Sequence, residues 1–157
     1  MKSETNKFKA LLDSTNQRFN TVFNADNTLD QKAGTLMGFE IAFIIGYLTL
    51  FASQLEGAKI FEGILGIIFL SISSVLLVII NWPRTYAFSS LEVTTNQDDL
   101  NKGEKQVLLQ MISDEELAIS KNVKILKRKS LLYKIALVTL FIGSLLLILS
   151  KLNKFYV

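Results

Sequence analysis

Three blocks of apolar residues constrain this chain more than any other feature. They read GFEIAFIIGYLTLFA, GILGIIFLSISSVLLVII and LLYKIALVTLFIGSLLLIL, within residues 36–54, 60–82 and 131–150. Each is apolar on every face, whereas the helices and strands of a soluble domain place their apolar residues at periods of 3.6 or 2. About 20 residues at a 1.5 Å rise cross a hydrocarbon core ~30 Å thick. The expected fold is an all-α membrane protein with three transmembrane helices at those positions.

The residue inventory removes several chemistries. Cysteine and histidine are both absent, which excludes disulfides, thiolate chemistry, the usual zinc sites and every His-based catalytic arrangement. There is no glycine-rich phosphate loop, no carboxylate cluster at metal-ligand spacing and no nucleophile beside a base. The expectation is a protein that is not an enzyme and has no cofactor. The polar stretch MKSETNKFKALLDSTNQ does not read as a cleavable signal, so the first span itself is expected to direct insertion.

Charge placement sets the expected topology. Lys2, Lys7, Lys9, Arg18 and Lys32 precede the first span. Arg84, Lys102, Lys105, Lys121, Lys124, Lys127, Arg128 and Lys129 lie between the second and third. The connection between spans one and two holds Lys59, and the tail Lys151 and Lys154. By the positive-inside rule, residues 1–35 and 83–130 are cytoplasmic, and the tail 151–157 lies outside a bacterial inner membrane. The run Lys121, Lys124, Lys127, Arg128 and Lys129 lacks interleaved aromatics. It therefore reads as a juxtamembrane contact for anionic lipid, or for an anionic signal molecule, and not as a nucleic-acid site.

The cytoplasmic parts also carry helical periodicity. Phe8, Leu12, Phe19, Val22 and Leu29 fall at spacings of three and four, with Thr15 and Asp26 in the two missing places. Ile112, Ile119, Val123 and Leu126 do the same, with Glu116 interrupting, and Ser113-Asp114-Glu115-Glu116 fits a capping box. A first helix from about residue 4 to 53, ~75 Å long, and a last helix starting near Ser113 are expected. Their cytoplasmic parts would pack as a stalk. Residues 84–103, rich in Ser, Thr, Asn and Asp, read as a mostly irregular connection.

Within the spans, ionisable and small residues stand out. Glu40 and Lys134 sit at similar depth on this topology, so they can pair and line a pore or gate. Equally, Lys134 can snorkel to the headgroups while Glu40 lines a helix contact. Gly38, Ala42 and Gly46 form a small-xxx-small stripe, and Thr139 and Gly143 a shorter one; both permit close helix packing, within one chain or between copies. Three helices bury little lipid-facing surface by themselves, which favours a homo-oligomer.

The segment Asp30-Gln31-Lys32-Ala33-Gly34, which opens the first span, resembles a recurring feature of small bacterial membrane effectors. These are the membrane effectors of the pyrimidine cyclase (Pycsar) anti-phage systems and the related two-transmembrane effectors of nucleotide-signalling operons. The layout is similar too: a cytoplasmic helix, the Asp-x-Lys-Ala-small motif, a close hairpin of two spans, a Trp82-Pro83 exit and a third span preceded by Lys and Arg. The resemblance implies an abortive-infection effector that disrupts the inner membrane when a partner enzyme makes a nucleotide second messenger. No appended cyclic-nucleotide-binding domain is recognisable. Physically, Lys32 can fix the depth of span one, Asp30 can accept a hydrogen bond from the Lys/Arg run before span three, and Gly34 permits a bend. The other reading of the chain is a scaffold that holds a cytoplasmic partner protein through its stalk.

Overall fold

A computed structural model describes residues 2–51, 59–82, 84, 87 and 103–152. Three helices account for nearly all of them: α1 (Lys2–Phe51), α2 (Lys59–Asn81) and α3 (Glu104–Leu152). α1 is helical throughout its length, Gly34 included. No proline interrupts it. Its threonines do not compete for the backbone: Thr15, Thr21, Thr28, Thr35 and Thr49 each donate to the carbonyl four residues back at 2.7–3.0 Å. This hides the hydroxyl without breaking the helix. α2 ends where Pro83 removes a donor.

α3 begins about ten residues before the expected start. Gly103 caps it, its carbonyl accepting from Gln106 N at 2.8 Å and Val107 N at 3.3 Å. Ser113-Asp114-Glu115-Glu116 lies inside the helix. The capping-box pattern is short and occurs within helices, and here Gly103 supplies the stop that precedes the helix. Residues 88–102, the larger part of the expected irregular connection, lie outside the described residues.

The chain divides into two compact units. One comprises Met1–Thr28 and Arg84–Arg128, the other Leu29–Pro83 and Lys129–Val157. α1 and α3 each contribute to both. The first unit pairs the first half of α1 with the first half of α3. Thr15, Asp26, Leu108, Glu115, Ala118, Ile119 and Asn122 are buried in it.

The second unit is a three-helix bundle. α1 and α3 run in parallel, as the pairs Asp30–Lys129 and Tyr47–Ser150 show. α2 runs against α3, with Gly66 beside Gly143 and Ser73 bonded to Ala136. Ala33, Leu77, Ile80 and Ala136 form one apolar cluster. Tyr47, Leu70 and Leu147 form another. The outside of this unit is apolar as well: Phe39, Phe61 and Phe141 are 70%, 68% and 66% exposed, among many exposed Ile, Leu and Val. An apolar exterior of this extent marks contact with lipid or with protein. Among the described residues two helices, over Phe61–Asn81 and Gln106–Ser150, are long and apolar enough to cross a membrane.

Candidate functional site

The small apolar residues of the bundle set where its helices can meet. At the α2–α3 crossing the two backbones nearly touch. A Cβ added at Gly143 would stand 3.0 Å from the Gly66 carbonyl oxygen and 3.0 Å from Leu70 Cγ. One added at Gly66 would stand 2.8 Å from Leu147 and 3.0 Å from the Gly143 carbonyl oxygen. Only glycine fits at either place. Gly143 therefore packs within the chain, and half-buried Thr139 bonds the Ile135 and Ala136 carbonyls of its own helix at 3.0 Å. The stripe on α1 differs. Nothing lies within 4 Å of a Cβ at Gly34, Gly38 or Gly46, and Ala42 is exposed.

Where the first span is expected to open, the motif residues separate by face. Ala33 is fully buried against Leu77, Ile80 and Ala136, while Lys32 and Gly34 are exposed. Asp30 accepts from Lys129 Nζ at both carboxylate oxygens, 2.9 and 3.0 Å away. Lys129 is 1% exposed. This corrects its reading as a lipid-facing member of the basic run. Lys121, Lys124, Lys127 and Arg128 remain exposed, but Lys129 falls on the buried seam of α3 and is held as an ion pair. A buried lysine needs such a partner, because desolvating an unpaired ammonium costs far more than the pair returns.

Glu40 is also buried, at 1% exposure. Of the two readings of Glu40 and Lys134, the pair does not form: Lys134 is exposed and neither Glu40 carboxylate oxygen has a hydrogen-bond partner. The register of the parallel helices explains this. Asp30 meets Lys129, 99 residues on, which places the α3 counterpart of Glu40 well beyond Lys134, on the far side of a helical turn. The hydroxyls of Ser74 and Ser73 on α2 stand close enough to interact with Glu40, without either completing a hydrogen bond. Ser73 Oγ donates instead to the Ala136 carbonyl at 3.1 Å.

Three further contacts were not expected. Tyr47 Oη and Ser150 Oγ share a hydrogen bond of 3.2 Å between α1 and α3. In the first unit, the Asn122 side chain clamps Ala87 at both backbone groups: Ala87 N donates to Oδ1 at 3.2 Å, and Nδ2 donates to the Ala87 carbonyl at 2.9 Å. Arg18 also pairs there with Glu116, both exposed, which gives the pair little weight in stability. Glu115 is 3% exposed and its Oε2 has no hydrogen-bond partner. Burial, aided by the neighbouring Glu116 charge, pushes its carboxyl above the ordinary value of 4.5.

The α3 seam has a sequence signal. Leu108, Glu115, Asn122, Lys129, Ala136, Gly143 and Ser150 are buried and recur every seventh residue. A search for apolar residues alone misses it, since four of the seven are polar.

Among the described residues no group of His, Cys, Asp and Glu is placed to hold a metal ion. No curated protein and no solved structure matches the chain. The family model of the Pycsar effector protein domain does match, over residues 16–152. That range takes in most of the described parts of all three helices, the polar contacts of the bundle and the Asn122 clamp, so the chain belongs to the Pycsar effector family.

Proposed function

We propose that this chain is an inner-membrane effector of abortive infection that breaches the membrane as a homo-oligomer when a nucleotide second messenger is made. Membership of the Pycsar effector family carries the reading; it implies an anti-phage effector triggered by a cyclic nucleotide. Three crossings, at 36–54, 60–82 and 131–150, fit the apolar exterior of the bundle, with the N-terminus cytoplasmic and the C-terminus outside. The first crossing is the least apolar because Glu40 and the small residues fall in it. The Gly38, Ala42 and Gly46 face offers a neighbouring copy a close approach, with nothing among the described residues within 4 Å of a Cβ at either glycine. Glu40 belongs to the gating machinery on this reading, while Lys134 lies at the headgroups.

The test is dye release from liposomes holding the purified chain. Cyclic CMP or cyclic UMP should trigger release, and Glu40→Ala or Ala42→Leu should weaken it. Intact liposomes with folded, inserted protein and either nucleotide present would overturn the reading. A scaffold role is the second reading, favoured by Leu11, Leu109 and Leu117, which are 50%, 44% and 56% exposed in the first unit. It predicts that unrelated spans can replace all three without loss of activity.

A further inference from the structure

Glu40 occupies a polar layer between the two apolar clusters of the bundle. On α1 it falls midway between Ala33 of one cluster and Tyr47 of the other; on α2, Ser73 and Ser74 fall between Leu70 and Leu77. Both carboxylate oxygens are buried with no hydrogen-bond partner. The Ser73 hydroxyl has a single proton, and that proton goes to the Ala136 carbonyl, so toward Glu40 this oxygen presents lone pairs.

Among the described residues no opposite charge is paired with Glu40. Glu40 is the sole charged residue of α1 between Lys32 and Phe51. α2 has none after Glu62, and α3 none between Lys134 and Lys151. Glu40 is therefore a carboxylate buried among apolar residues with no ion-pair partner among the described residues, an arrangement that carries a large desolvation cost unless a positive charge joins it.

We propose that Glu40, Ser73 and Ser74 form a binding site for one hard monovalent cation, a proton or a sodium ion, inside the bundle. Oxygen ligands of this kind suit hard cations. One carboxylate balances one positive charge, whereas a divalent ion would leave net charge in the apolar layer. The proposal rests on the reading that residues 36–54 cross the bilayer.

The test uses the full chain in liposomes and dicyclohexylcarbodiimide, an apolar reagent for carboxyl groups, with the adduct mapped by peptide mass spectrometry. In sodium-free buffer Glu40 should be modified well ahead of the exposed Glu116. Slowing by sodium chloride but not by choline chloride identifies sodium as the occupant. Modification insensitive to both salts identifies a proton. A parallel sample receives a water-soluble carbodiimide and a hydrophilic amine. Glu40 untouched by either reagent overturns the site while leaving the span standing. Glu40 modified by the water-soluble reagent as fast as Glu116 overturns the span and the site together.

Discussion

Glu115 and Lys129 occupy the same seam of α3, one heptad apart on either side of Asn122, and meet burial in opposite ways. Lys129 has Asp30 as a partner; Glu115 Oε2 has none. Because the folded state raises the Glu115 carboxyl above its unfolded value, it favours the protonated form. Its contribution to stability is full below about 4.5, the ordinary value, and is lost as pH rises through the raised one. Glu115→Gln should therefore flatten the pH dependence of the thermal midpoint between about 4.5 and the raised value and raise the midpoint at neutral pH. An unchanged pH profile in thermal melts of the detergent-solubilised chain would refute the assignment. For the ion pair, Asp30→Asn should cost about 1–3 kcal/mol, the range for hydrogen bonds to charged groups, reduced by the partial exposure of Asp30. A double-mutant cycle with Lys129→Met should recover part of that as coupling; additive effects would show that the two residues act independently. That Asp30 can receive a cation from the run before span three was legible in the sequence. Which one was not, because the choice depends on helix register, which also keeps Glu40 and Lys134 apart.

At the scale of the helices, the extents of α1 and α2 were legible from apolar length, from the absence of proline in α1 and from Pro83. The start of α3 was not, since Gly103 is an inconspicuous cap and the capping-box pattern at Ser113 is stronger on paper. The two small-residue stripes look alike in the sequence and differ in use. Gly143→Ala forces a methyl group to 3.0 Å from the Gly66 carbonyl oxygen and from Leu70, so it should destabilise the bundle by about 1–3 kcal/mol, as overpacking does. Ala42 is exposed, so Ala42→Leu should leave the melting temperature within error, while reducing the oligomer mass measured in detergent. A bundle indifferent to Gly143→Ala would contradict the crossing. An oligomer unaffected by Ala42→Leu would move the contact between copies to another face.

For the molecule as a whole, α1 and α3 each run through both compact units. One unit is polar outside apart from a few leucines; the other is apolar outside and holds a carboxylate and an ion pair inside. The family and the all-helical class were readable from the spacing of apolar blocks and from Asp30 to Gly34. The buried polar layers were not, because burial of Ser73, Asn122 and Lys129 follows from the packing partners and not from their own chemistry. The central claim is that this chain breaches the membrane on a cyclic-nucleotide signal. It is tested most directly by following membrane potential with a voltage-sensitive dye in bacteria that express the chain with a pyrimidine cyclase. Depolarisation and growth arrest are predicted only when active cyclase and chain are present together. Cells that stay polarised and keep growing, with the chain inserted and the cyclic nucleotide accumulating, would contradict it.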